Sequence, residues 1–373
     1  MEPQITRSEY SQLKHNYQYQ YDPLEDPASD IRLIEIHPKK GSEGLECSLH
    51  TYASNSCPPY EALSYAWGDQ SSLDRINFHG KWIYVASNLH SALVSLRKRC
   101  MGQVTDRRLL VWIDALCIDQ DNLEERNDQV QRMKLIYQGA KRVIIYLGDY
   151  SEPSDQRIQF GKEAWGIQSL ENGSYSLSLA AVTIALHLSM ANTVADAGEV
   201  SQMLAASSQR DQPGNPLTNI FAWAHLSRLF NRPWFERLWI IQELGVSQEA
   251  IVLCGGIEVP WSTVENAAAF ILRPAAETPP EIRRFFPLMG AHRVTQVALN
   301  TVRDVDKSNI LTVLRHTQGA SCSDPRGKRL NSSEHFCFSW AVSRTDYSLH
   351  NLKGYKKFVR SCLNSRYFWF RQC

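Results

Sequence analysis

A chain of 373 residues that is 43% hydrophobic and 21% charged, with a formal net charge of +1, is too apolar to be disordered and too varied to be fibrous or of low complexity. At this length a compact fold removes about 75% of the unfolded surface from water, so the core needs neither a disulfide nor a metal; one large domain or two modest ones are expected. The near-neutral total gives no global case for nucleic acid or an anionic membrane. Nine cysteines stand singly and never as C-x-x-C, which argues against a zinc ligand set or a disulfide framework and for a reducing, cytoplasmic setting.

Residues 1–30 lack periodicity, gather acidic side chains around Asp22, Glu25, Asp26 and Asp30, and have no apolar run of a secretory signal; a disordered leader is expected there. Ile31–Ile36 and Leu45–Tyr52 both alternate around a Pro/Gly turn, which predicts a β-hairpin within 31–59. Tyr60–Trp67 is strand-like and stops at Gly68-Asp69, Ile76–Val85 reads as two short strands across His79-Gly80, and Ser87 or Asn88 opens a helix that closes on Arg97, Lys98 and Arg99. Leu109–Ile113 is a continuous apolar strand, Asp114–Asn122 a polar loop, and Val130, Met133, Tyr137 and Ala140 mark one helix face before the apolar strand Val143–Leu147. This strand, helix, strand order predicts a right-handed βαβ crossover and a partly parallel sheet, whose strand ends would carry the site.

Beyond Ser151 the chain reads as a helical insertion to about residue 225, with a polar break at Ser207–Asn215, and Leu177–Ala195 carries enough polar residues to read as a buried helix and not a membrane span. Leu226 through Ile241 form a dense apolar helical face that Gly245 would stop. A hairpin over Ala250–Trp261 and a helix ending at Pro274 belong to a 244–320 extension, and 321–373 is a basic tail.

No Walker-type phosphate loop, G-x-G-x-x-G, G-x-S-x-G or H-E-x-x-H is present. Three dense motifs remain. They are Tyr60-Glu-Ala-Leu-Ser-Tyr-Ala-Trp-Gly-Asp69, Trp112-Ile-Asp-Ala-Leu-Cys-Ile-Asp-Gln-Asp121, and Arg232-Pro-Trp-Phe-Glu-Arg-Leu-Trp-Ile-Ile-Gln-Glu243.

In this order these motifs closely resemble the fungal heterokaryon incompatibility (HET) domain, over residues 60–243. The resemblance implies a role in non-self recognition between fungal cells, as a cell-death effector or regulator, with self-association or other incompatibility and receptor proteins as partners and no membrane. A more distant resemblance, to TIR domains, implies a flavodoxin-like α/β sheet core and cleavage of NAD, with no cofactor required and NAD as the substrate. On that likeness Trp239-Ile-Ile-Gln-Glu-Leu244 is similar to the helix bearing the TIR catalytic glutamate, so Glu243 is the catalytic candidate. The substrate-binding candidates are Tyr65, Trp67, Gly68, Asp69, Asp114, Asp119, Gln120 and Arg237, with no metal. A carboxylate at 243 would steady positive charge as the glycosidic bond breaks, Trp67 would stack on a flat ring, and backbone amides after Gly68 would meet phosphate.

Each residue also has a plainer role. Glu243 suits a buried carboxylate paired with Arg237, Asp114, Asp119 and Asp121 suit turns and helix caps, and Tyr65 and Trp67 suit core packing. The domain can equally be a non-catalytic self-association module. In the tail, Ser323–Lys328 resembles the segment after many HET domains, but the apolar run that should follow is replaced by Arg329–His335; a reading-frame slip or splicing error, and an end at Cys373 that truncates a longer protein, are expected. Nucleic-acid binding by this tail is disfavoured, since no aromatic or Gly-rich pattern accompanies its charge.

Overall fold

A computed structural model of the chain describes residues 5–6, 19–38, 44–101, 108–148, 173–193, 198–200, 202, 220–237 and 239–286. Residues 7–18, the polar break at 207–215 and the basic tail lie outside the described residues. The strands are β1 (Ile5–Thr6), β2 (Asp30–Ile36), β3 (Glu46–Ala53), β4 (Glu61–Tyr65), β5 (Ser72–Phe78), β6 (Lys81–Ala86), β7 (Leu109–Trp112), β8 (Arg142–Gly148), β9 (Ala250–Cys254) and β10 (Ile257–Pro260). Among the described residues they form one ten-stranded sheet in the order β1-β5-β3-β2-β7-β4-β8-β9-β10, with β6 paired to β5.

The sheet changes character at β2. On one side lie the β2–β3 and β5–β6 hairpins, expected from alternation. On the other, β7, β4, β8 and β9 run parallel. Their sequences explain this, because β4, β8 and β9 are buried along nearly their whole length and need cover on both faces. Counted from β4, the parallel strands stand in the order 2-1-3-4, which is the flavodoxin-like arrangement of a doubly wound α/β sheet.

One expectation changes here. The β7, helix, β8 crossover exists and both strands are parallel to β4, but they do not pair with each other: β4 lies between them. The local pattern carried the crossover, while the strand it spans, Glu61–Tyr65, lies far upstream of Leu109 and outside any local window.

The helices are α1 (Ser87–Met101), the single turn α2 (Asp114–Cys117), α3 (Leu123–Gly139), α4 (Gly173–Ala191), α5 (Ile220–Phe230), α6 (Ile240–Gly245), α7 (Trp261–Ile271) and the single turn α8 (Pro280–Arg283). α1 buries Leu89, Ala92, Leu93, Leu96 and Cys100 on one face, as the 3.6-residue period requires. Asn122 caps α3 by accepting from the backbone N–H groups of Glu124 and Glu125. The dense apolar stretch around residues 226–241, read as one helical face, is instead α5, a 3-10 turn over Pro233–Glu236 and α6. Pro233 has no N–H to give and disfavours a helical residue before it, so the first helix ends at Phe230 and the proline opens the next turn. α4 packs on α5 and α7. Among the described residues no helix is long and apolar enough to cross a membrane.

The leader departs most from expectation. Although residues 1–30 read as disordered, residues 19–30 are strapped to α3 and to the 114–122 loop. Arg132 donates to the carbonyls of Pro27, Ser29 and Asp30, Gln129 to those of Pro27 and Asp30, and the Tyr21 hydroxyl to Leu116 O at 3.0 Å.

Arg32, 1% exposed, sits at the centre of this strap. It pairs with the buried carboxylate of Glu125 and donates to Asp22 O at 2.7 Å and Cys117 O at 3.3 Å, while Glu125 also accepts from Asp119 N at 2.8 Å. One ion pair thereby joins β2, the leader, the 114–122 loop and the first turn of α3. Removing one partner leaves a bare charge in the core, at a cost of about 3–5 kcal/mol. Arg32→Met is therefore expected to lower the urea midpoint sharply, and the Arg32→Met/Glu125→Met pair to regain most of that loss. A single variant within about 1 kcal/mol of the parent would contradict this.

Candidate functional site

The carboxyl ends of β4, β7, β8 and β9 lie at the same end of the parallel half-sheet, and the strand order reverses between β4 and β8. Open α/β sheets bind ligands at such reversals, where the chain leaves adjacent strands in opposite directions. Here that place is polar.

Ser64 is the one serine in β4, and it is 1% exposed. Its Oγ donates to Glu243 Oε2 and accepts from the indole N–H of Trp234 at 2.7 Å. Glu243, also 1% exposed, stands in the first turn of α6, and its second oxygen accepts from Arg237 Nη2 at 3.4 Å. Arg237 is 18% exposed and follows the 3-10 turn that begins with Pro233. The broken helix is what aims these residues inward: a continuous helix would spread 232–243 around its axis, whereas the turn folds Trp234, Arg237 and Glu243 toward Ser64.

Asp114 closes the cluster from β7. The indole N–H of Trp67 donates to its Oδ2 at 3.0 Å, the Tyr65 hydroxyl bonds to it, and Ala115 N donates to its Oδ1 at 2.7 Å. Gln120 holds the Asp114 carbonyl at 2.8 Å. Of the sequence candidates, Glu243, Arg237, Asp114, Tyr65 and Trp67 thus meet, with Gln120 fixing Asp114 from behind.

Asp69, Gly68 and Asp119 play other parts. Asp69 is exposed and ties the Ser71 N–H and hydroxyl in a turn, while Asp119 braces Asp121 N at 3.1 Å. Both short acids prefer such local backbone bonds, the turn role that the sequence also suggested for Asp119 and did not suggest for Asp69. Gly68 adopts φ +68°, and a Cβ there would come within 3.1 Å of Asn88 Cβ, so it is needed for the chain to turn away from β4. Among the described residues no three His, Cys, Asp or Glu side chains gather as a metal site. Ser64 and Trp234 were missed; the signal was a serine in an otherwise core-like strand, and a tryptophan reads as packing unless its N–H is followed.

The electrostatics follow from burial. Desolvation pushes the carboxyl of Glu243 above its ordinary range, against the pull of Arg237 and Ser64. Desolvation likewise raises Asp114, against Arg237 and Trp67. For Arg237 burial acts downward, but Glu243 and Asp114 outweigh it and the guanidinium stays firmly charged. Two carboxyls share one cation.

The fold and site define a doubly wound α/β protein with a buried carboxylate, arginine and serine cluster at its strand-order reversal. Residues 60–243 match the family described as Heterokaryon incompatibility protein (HET), and this segment is a domain of that family. The chain is similar to "Heterokaryon incompatibility protein 6, OR allele" of Neurospora crassa, 27% identical over 284 residues that make up 70% of this chain. It spans 40% of that relative's length. No solved structure matches it.

A group whose folded pKa lies above its unfolded one keeps a proton that the unfolded chain gives up, so its contribution to stability falls as pH rises from the unfolded value. Glu243 and Asp114 both lie on that side. Unfolding free energy is therefore expected to drift downward from about pH 4, the ordinary carboxylate value, toward neutrality, and Glu243→Gln to flatten the drift in urea titrations across pH. Glu243→Ala is expected to cost about 3 kcal/mol by exposing Arg237 to an emptied pocket, and Glu243→Gln clearly less, since an amide oxygen still accepts from Ser64. Equal losses in the two variants would contradict the hydrogen-bonding scheme.

Proposed function

We propose that this chain acts in fungal heterokaryon incompatibility as a cytoplasmic cell-death effector or regulator, and that its HET domain works by cleaving the glycosidic bond of NAD, as a TIR-like enzyme would. The observation that supports this reading is the convergence of two raised carboxyls and one arginine beneath the half-buried indole of Trp67 at the strand-order reversal. Perturbed acids gathered at such a place are a mark of chemistry.

In this reaction the bond from the ribose C1′ to the nicotinamide nitrogen breaks, its electron pair leaves with neutral nicotinamide, and the ribose ring takes up positive charge. Water then adds to C1′ and releases a proton, giving ADP-ribose. The chain's part is to hold negative charge beside the cationic ring and to keep the leaving group flat. Glu243 and Asp114 supply the charge, and Trp67, fixed through its N–H by Asp114, supplies a face for the nicotinamide. Ribose contact with Glu243 requires the Arg237 contact to open, because the carboxylate is 1% exposed with both oxygens engaged.

That same burial favours a second reading. In it Glu243 is a structural latch and the domain signals by self-association or through receptor partners, with no chemistry.

Concentrated or artificially clustered protein is expected to release nicotinamide from NAD, read by chromatography, and Glu243→Gln to slow this about 100-fold while the far-ultraviolet spectrum holds and the urea midpoint falls less than in Glu243→Ala. Unchanged release in that variant would remove Glu243 from the mechanism. If overexpression in fungal cells kills with NAD levels intact, and Glu243→Gln kills equally, the self-association reading stands instead.

A further inference from the structure

Contact between Glu243 and a ribose calls for one carboxylate oxygen to come free while the other keeps the side chain aimed, and the two oxygens are held unequally. Oε1 meets Arg237 Nη2 at 3.4 Å, long for a hydrogen bond, and that arginine is 18% exposed. Oε2 accepts from the hydroxyl of Ser64, which is 1% exposed inside β4. The Arg237 contact is the one that solvent or a ligand can open; the Ser64 contact lies in the core.

A hydroxyl alone does not fix that second bond, because its hydrogen rotates to suit whichever acceptor is near. Trp234 removes the freedom. Its indole N–H, which can only donate, points at Ser64 Oγ at 2.7 Å, so the Ser64 hydrogen turns away from the indole and toward Glu243. The indole is itself fixed: it is 1% exposed, with the rings of Phe235 edge-on at 5.1 Å and of Trp261 in α7 at 5.5 Å between centroids. A chain of donors thus runs from Trp234 through Ser64 to Glu243, each bond polarising the next.

A chain running in this sense favours the carboxylate over the carboxylic acid. Cleavage at the ribose needs Glu243 charged, whereas burial acts against the charge. A hydroxyl made to donate works against that effect of burial at Oε2; one left free to accept would not. The backbone of the same tryptophan also matters, because Trp234 O accepts from Arg237 N at 3.1 Å. One fixed residue therefore sets both groups that face the Glu243 carboxylate, the hydroxyl on Oε2 and the guanidinium on Oε1.

We propose that Ser64 and Trp234 are positioning residues for Glu243: they hold Oε2 as a charged acceptor and leave Oε1 as the oxygen that meets the ribose once Arg237 swings aside. The ribose contact rests on the NAD reading, while the donor chain stands apart from it.

Two measurements on the full chain decide it. In the first, carbon-13 NMR follows the Glu243 carboxyl across pH in protein labelled at glutamate, with Glu243→Gln identifying its signal. Ser64→Ala is expected to move the titration upward, Trp234→Phe to move it the same way by less, and the double variant to match Ser64→Ala. In the second, nicotinamide release is followed against NAD concentration. Ser64→Ala is expected to lower kcat about tenfold and Trp234→Phe about threefold, with KM changed less than about twofold and the double variant no slower than Ser64→Ala. A carboxyl that titrates alike in the parent and Ser64→Ala, or losses that add in the double variant, would overturn the positioning role. Trp234→Phe keeps an aromatic ring in the same packing and carries the NMR test if Ser64→Ala does not fold; an unmoved titration there overturns the role as well. The cleavage reading fails separately: upward shifts in both variants with no nicotinamide release from the parent would remove the reaction and keep the donor chain.

Discussion

The contact between Ser64 and Glu243 spans 179 positions of sequence and decides how the carboxyl-terminal part of the domain meets the sheet. Ser64 lies inside a strand buried on both faces, where a hydroxyl costs stability unless both its donor and acceptor are used. Glu243 takes the donor and Trp234 fills the acceptor, so the 3-10 turn and α6 are held to β4 by polar bonds while Trp234, Phe235 and Trp261 pack around them. Direction comes from the hydrogen bonds and most of the burial free energy from the rings. Apolar packing alone would tolerate a shift of the turn by a fraction of a residue, which would carry Arg237 away from both carboxylates.

The Arg32 and Glu125 pair does comparable work from the other side. It fixes the loop that carries Asp114, because Glu125 holds Asp119 N and Arg32 holds Cys117 O. Asp114 itself begins a single helical turn whose backbone is tied to Ile113 O through Leu116 and Cys117. The loop is thus braced at its base, its middle and its exit into α3, and the indole of Trp67 inherits that rigidity through Asp114. An N-terminal strap of backbone carbonyls, gripped by Arg132 and Gln129, closes the outside of this brace.

What could be read in the sequence was whatever repeats locally. The alternation of Ile31–Ile36, the unbroken apolar runs of β8 and β9 and the period of α1 each declare an element within one window. The insertion of β4 between β7 and β8 could not be read, since pairing is settled by the packing of distant strands. The leader misled for a related reason: apart from the Tyr21 hydroxyl, its anchors are mostly its own carbonyls, which every residue type possesses, so its acidic composition says nothing about them. In the site, Glu243, Arg237, Asp114, Tyr65 and Trp67 were legible as motif residues, whereas Asp69 and Asp119 resemble them in sequence and differ only in finding backbone partners at once.

Stability alone is a poor account of the cluster. A buried carboxylate and guanidinium recover in mutual attraction roughly what they lose in hydration, so well-packed apolar residues of similar volume hold a core as well or better. The middle of the parallel half-sheet follows that rule, with Ile144, Ile145, Val252 and Leu253 in the neighbouring strands. At the carboxyl ends of the strands the chain places two acids around one arginine, with an indole N–H spent on orienting one of them. The cluster stands at the reversal between β4 and β8, where open α/β sheets bind ligands, and that position is what supports the proposed role in chemistry.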